Sequence, residues 1–150
     1  VKILADNNSV VCLMHGGKNP KTMQSDTAYD NVLLDVYDFL EERIEHAVTF
    51  GVKKSNILVD PGIGFKKTMQ QNLTLIKNAS IFHSLGCPLL FGVSRKGFLG
   101  SLTGVEEPEK RVTGSIAVAL ELVRQGVHII RVHDVDETKQ AIAVWKAINM

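Results

Sequence analysis

LVDPGIGFKK, residues 58–67, decides how the rest of the chain is read. The apolar residues Ile57, Leu58 and Val59 run into the carboxylate of Asp60, and Pro61, Gly62, Gly64 and Phe65 follow. The pattern predicts a buried strand that ends on a polar residue, then a tight loop whose backbone can approach a ligand. A carboxylate at the C-terminal tip of a parallel strand stands where α/β proteins keep their sites. Asp60 could instead simply open a turn before Pro-Gly, but a carboxylate closing so apolar a strand needs a partner. The loop lacks GxGxxG and is not a dinucleotide fingerprint.

The same pattern repeats along the chain. SVVCLM, residues 9–14, predicts a strand with His15, Gly16 and Gly17 at its tip, and residues 18–27 form a polar loop long enough to suggest function. Val32, Leu33, Val36, Tyr37, Leu40, Ile44, Ala47 and Val48 keep helical spacing over 29–50, and Gly51 takes the position just past the end. Residues 68–85 read as helical with a break near 78–80, closed by Gly86. PLLFGV, residues 88–93, predicts a third strand tipped by Ser94, Arg95 and Lys96. Residues 98–104 read as irregular. A helix is expected over 107–125, with Pro108 in its first turn and Gly126 past its end. HIIRV, residues 128–132, predicts a fourth strand with His133 and Asp134 at its tip, and residues 135–148 a closing helix. Residues 1–8 read as the last turns of a helix followed by a stop, so the expectation is a single domain over 1–150 that begins inside a helix of a larger protein.

Four strands, each followed by a helix, imply a parallel sheet with right-handed crossovers. An open four-stranded sheet fits, and so does about half of a (βα)₈ barrel, which takes ~250 residues when complete. In either case the strand tips share one rim, where His15, Asp60, Ser94, Arg95, Lys96, Arg131, His133 and Asp134 can converge on one ligand. Arg131 could form a surface pair with Asp134 or Asp136, although its place inside an apolar strand argues against this. Arg95 and Lys96 alone are only a dibasic loop. His15 reads as a structural histidine more readily than as a catalyst, His83 and His128 as surface or edge residues, and Lys53-Lys54 and Lys66-Lys67 as solvated charges.

The chain has 150 residues, 45% of them hydrophobic and 22% charged, with a net charge of +1. This is a globular composition, and it gives no global field for nucleic acid or a lipid surface. No apolar run is long enough to span a bilayer. Cys12 and Cys87 have no metal-type spacing and read as buried free thiols in a reducing compartment, so the chain is expected to be soluble and cytoplasmic.

LMHGGKNPKTMQ, VDPGIGFKKTMQQN, FGVSRKGFLG and RVHDV together resemble dihydropteroate synthase, in order and approximate spacing, over about residues 10–148. The resemblance implies the C-terminal half of a (β/α)₈ TIM barrel. It further implies joining of 6-hydroxymethyl-7,8-dihydropterin diphosphate to 4-aminobenzoate, with release of diphosphate. By the same resemblance Asp60 binds the pterin, Lys96 bonds the pterin near the aminobenzoate, and Arg131 and His133 hold the diphosphate. Met14 and Phe65 supply apolar contact, Gly92 close backbone approach, and Ser94 a place near the aminobenzoate. Lys96, Arg131 and His133 are thereby the catalytic candidates, stabilising charge with Mg²⁺ as the cofactor and no all-protein metal site. The family is commonly dimeric, with the closing helices as the interface. Gly16-Gly17-Lys18 and Gly97 depart from the family pattern, and the family's further pterin contacts and its two mobile loops belong to strands not represented here. The alternative reading is a non-catalytic half-barrel that binds pterin diphosphate or depends on a partner.

Overall fold

The computed structural model describes residues 1–16 and 28–150; Gly17 and the long polar loop after it lie outside the described residues. After a short helix α1 (Lys2–Asp6), strand and helix alternate, with two helices between the last two strands: β1 (Val11–Met14), α2 (Val32–Thr49), β2 (Ile57–Asp60), α3 (Met69–Lys77), β3 (Leu90–Gly92), α4 (Gly97–Thr103), α5 (Val112–Arg124), β4 (Ile129–Arg131) and α6 (Val135–Asn149). β1 and β2 pair in parallel, as do β3 and β4, and a parallel bridge between Val59 and Leu89 joins the two pairs. The strands therefore follow one another in sequence order. A doubly wound sheet reverses its order at a switch point, whereas an arc of a barrel does not.

Alternation along the strands sorts the residues onto two faces. Ile57, Val59, Leu89 and Phe91 are fully buried against the helices. The α2 face of Val32, Val36, Leu40, Ile44 and Ala47 packs on the same side. The opposite face carries the cross-strand pairs Cys12–Leu58, Met14–Asp60, Leu90–Ile129 and Gly92–Arg131. Cys12 is exposed on that face, contrary to the expectation that both thiols are buried; Cys87 is buried.

Local chemistry sets the element ends. The Asn31 side chain accepts from the backbone N–H of Leu33 at 3.1 Å and Leu34 at 3.3 Å, which starts α2. Thr68 and Gln71 exchange side-chain and backbone bonds in a capping box that starts α3. The break expected near 78–80 is present: α3 stops at Lys77 and a 3₁₀ segment runs Ala79–Leu85. Two expectations need correction. Residues 97–103 form a helix, which two internal glycines conceal from a propensity reading, and burial of Phe98 and Leu99 holds it. The helix expected over 107–125 is divided into a 3₁₀ turn at Pro108–Arg111 and α5.

Candidate active site

The loop after β2 is folded onto the tip of β1. The His15 N–H donates to the Asp60 carbonyl at 2.9 Å. The Gly62 N–H donates to Asp60 Oδ1 at 2.8 Å, fixing one carboxylate oxygen. Gly62 has φ +71°, and a Cβ there would lie 1.8 Å from the His15 carbonyl oxygen, so this position admits only glycine. Asp60 is 3% exposed. Burial raises its pKa, and the Gly62 N–H and the charges of Arg131, Lys96 and Lys67 oppose that rise.

Lys67 is not the solvated charge expected from the sequence. It is buried, and its ammonium donates to His15 Nδ1 at 2.8 Å, Phe65 O at 2.9 Å and Gly62 O at 3.0 Å. Burial pushes its pKa down to about 7, with Asp60 opposing and Lys96 adding to the shift. Burial first, then Lys67, lowers the His15 pKa to about 4, so His15 is the neutral partner that accepts at Nδ1. Its ring packs edge-on to Phe39 at 4.9 Å, in keeping with the structural role expected for it.

The two remaining tips, those of β3 and β4, meet this loop. The Lys96 ammonium stands 4.4 Å from the centroid of the Phe65 ring. Burial lowers its pKa, Arg131 lowers it further, and Asp60 opposes. Arg131 lies across Gly92: a Cβ at that glycine would come within 2.6 Å of Nη2. Arg131 reaches Asp60 Oδ2 at 4.0 Å, not Asp134 or Asp136. At that separation the attraction does not outweigh the cost of burying the carboxylate. The buried Ser94 Oγ accepts from the His133 backbone N–H at 3.2 Å and lies 3.1 Å from His133 Nδ1. Met14 stands opposite Asp60 in the β1–β2 register. Asp60 and Arg131 thus make one pair and Phe65 and Lys96 another, Lys96 feels the charges of both Asp60 and Arg131, and His133 and Ser94 form an adjoining pair.

Supporting residues not anticipated as such surround this group. Arg95, at φ +58°, donates to both oxygens of Asp134 at 2.5 and 3.2 Å. That contact holds the Asp134 carboxyl below its usual range. Arg111 donates to the carbonyls of Arg95, Lys96, Val105 and Glu106, fixing the loop that carries Lys96. The buried Asn72 accepts from the Gly64 N–H at 2.7 Å and donates to the carbonyls of Lys67 and Thr68. The signal of Arg111 and Asn72 in sequence is weak, because each acts on backbone atoms brought close only by the fold.

A parallel βα arc whose C-terminal rim gathers a buried carboxylate and several cations is the ligand-binding face of a (β/α)₈-type protein. Residues 1–133 match the family described as pterin binding enzyme, and the chain belongs to that family. It is 43% identical over 143 residues to dihydropteroate synthase of Escherichia coli strain K12, covering 95% of this chain and 50% of that protein. The crystal structure of dihydropteroate synthase from Stenotrophomonas maltophilia superposes with a TM-score of 0.94 and 42% identity, over 98% of this chain and 56% of that one. The Xanthomonas albilineans enzyme in complex with 7,8-dihydropteroate gives 0.88 and 41%, over 97% and 52%. The chain spans about half the length of the relatives it matches.

Proposed function

We propose that the intact polypeptide acts as a dihydropteroate synthase in folate biosynthesis. It would condense 6-hydroxymethyl-7,8-dihydropterin diphosphate with 4-aminobenzoate to give 7,8-dihydropteroate and diphosphate. The observation that carries this reading is the gathering on one rim of the Asp60–Arg131 and Phe65–Lys96 pairs, with Lys96 within electrostatic reach of Asp60 and Arg131. Kinship with dihydropteroate synthases, one of them holding 7,8-dihydropteroate, supports it.

In this reading the arylamine nitrogen attacks the pterin CH₂, the C–O bond to diphosphate breaks, and the nitrogen loses a proton. No side-chain nucleophile is needed. The chain's own groups position the partners and stabilise the charge that develops on the leaving oxygen. Asp60 Oδ2 faces the pterin amine and ring N–H, because Oδ1 is held by Gly62. Arg131 offers a planar fork to diphosphate oxygens, with His133 beside it. Lys96 can move from the Phe65 ring to the substrate. Phe65, Met14 and Gly92 would shape the apolar walls and the close approach, and Ser94 would orient His133.

Among the described residues no three His, Cys, Asp or Glu side chains could hold a metal together. Mg²⁺ would enter with the substrate's diphosphate and supply charge neutralisation to the leaving group beside Arg131 and His133. No helix among the described residues is long and apolar enough to cross a membrane. The free thiols favour a cytoplasmic location. An apolar face of Leu120, Ala141, Val144, Trp145 and Ile148 on α5 and α6 favours a homodimer.

Calorimetric titration of pterin diphosphate with Mg²⁺ tests the reading. Binding should fall about tenfold or more in Asp60→Asn, where one oxygen becomes an amide. Equal affinity in the two proteins would refute the role of Asp60. Binding without product formation when 4-aminobenzoate is added would favour the non-catalytic alternative.

A further inference from the structure

We propose that Lys67 and His15 form a positioning pair that aims the Asp60 carboxylate and the Phe65 ring at the pterin. The inference rests on the pterin-binding reading of Asp60 and assigns the residues that make that site rigid. Neither side chain is expected to touch substrate.

The geometry is unusual for a lysine. All three hydrogens of a buried ammonium can be matched to acceptors: His15 Nδ1, Gly62 O and Phe65 O. None of the three is a carboxylate. A buried charge held only by neutral acceptors costs stability against an apolar residue of similar volume, so loop packing alone is a poor account of it. The acceptors show what the charge holds. Gly62 is the residue whose N–H fixes Asp60 Oδ1. Phe65 is the residue whose ring carries the Lys96 ammonium. One ammonium therefore ties together the backbone beneath both contacts, and His15 anchors it to β1. The His15 backbone closes the same unit, donating to Asp60 O and lying against Gly62 where a Cβ would collide. Lys67 also lies close enough to Asp60 for attraction between them to oppose the lowering of its own pKa.

Apart from the 4.0 Å reach of Arg131 to Asp60, the diphosphate end is supported separately: Arg131 rests on Gly92, and His133 on Ser94. Loss of the pair should therefore separate the two halves of the substrate, which a general packing defect would not do.

The test uses the intact polypeptide with two probes in calorimetry, 6-hydroxymethyl-7,8-dihydropterin and inorganic pyrophosphate with Mg²⁺. Lys67→Met, which removes three bonds, and His15→Leu, which removes one, should each weaken the pterin probe about tenfold or more and change pyrophosphate affinity by less than about twofold. His15→Asn places an amide oxygen near the position of Nδ1 and should retain most of the affinity. If Lys67→Met does not fold, the two His15 variants decide the matter. Unchanged pterin affinity, or equal loss of both probes, would overturn the positioning role alone. A wild-type protein that binds pyrophosphate but no pterin would overturn the reading of Asp60 and this inference with it.

Discussion

Gly62→Ala should be among the most damaging single-methyl additions in this chain, and two other glycines show why. At Gly97 an added Cβ meets nothing within 4 Å, so Gly97→Ala should change stability by no more than about 0.5 kcal/mol. At Gly104 the space is also open, but φ is +72°, so Gly104→Ala isolates the left-handed backbone term of about 1–2 kcal/mol. Gly62 combines φ +71° with a Cβ 1.8 Å from the His15 carbonyl oxygen. Relieving that contact requires a shift of about 1 Å in the backbone of the loop or of the β1 tip. The shift strains the bond from Gly62 N–H to Asp60 at 2.8 Å and the one from Lys67 to Gly62 O at 3.0 Å. Each involves a charged group and contributes about 1.5–3 kcal/mol. The expected cost is therefore about 4–8 kcal/mol, a large share of a typical folding free energy of roughly 5–15 kcal/mol. Urea unfolding of the three variants of the intact polypeptide, followed by circular dichroism, measures the series. A Gly62→Ala protein no less stable than Gly104→Ala would show that the loop yields freely, and the argument for a rigid Asp60 would fail.

Three other outcomes are expected. Gly92→Ala puts its Cβ 2.6 Å from the mobile end of Arg131, so stability should fall by no more than about 1 kcal/mol while pyrophosphate affinity falls about tenfold; unfolding and calorimetry on one sample would separate the two. His15, held at about 4 in the fold, takes up its proton at higher pH when unfolded, so its contribution is present above about pH 6.5 and is lost as pH falls towards 4. That term is at most about 3 kcal/mol and is read as the difference in pH slope between wild type and His15→Asn. Chelation of Mg²⁺ should weaken diphosphate binding but not that of the uncharged pterin, and calorimetry with EDTA checks this.

Much of this site was legible because a strand tip is both a sequence signal and a spatial address. Asp60, Lys96, Arg131 and His133 each end or follow an apolar run, and parallel pairing then brings them to one rim. Order along the chain also matched order in the sheet. The burial of Lys67 is hidden in the sequence for an equally physical reason. A lysine next to another lysine after a glycine loop has the local signature of a solvated turn, and its acceptors are backbone carbonyls and a histidine 52 residues away. Arg111 escaped notice likewise, since it serves carbonyls 5 to 16 residues distant. The helix at 97–103 was hidden because Gly100 lowers helix propensity, yet a Cβ there would approach Arg111 Nη2 and Val105 O at 2.8 Å. Tertiary contact, not propensity, chose that residue.

The cations of the rim divide by whether they already have partners. Lys67 has three acceptors, Arg95 grips Asp134 with two nitrogens, and Arg111 binds four carbonyls. Moving any of these to a ligand would break bonds that the fold needs. Lys96 and Arg131 are placed differently: one rests on an aromatic face, and the other reaches Asp60 at 4.0 Å with 62% of its side chain exposed. Neither gives up a short hydrogen bond to a carboxylate on turning to a substrate. A ligand that brings negative charge therefore meets two cations that can shift at little cost, above others that cannot. The buried Asp60 gains from the same arrangement, because the cations around it oppose the pKa rise caused by its burial. In the function proposed above, the diphosphate would meet the two movable cations and the pterin the buried carboxylate, so both ends of the rim would be used at once.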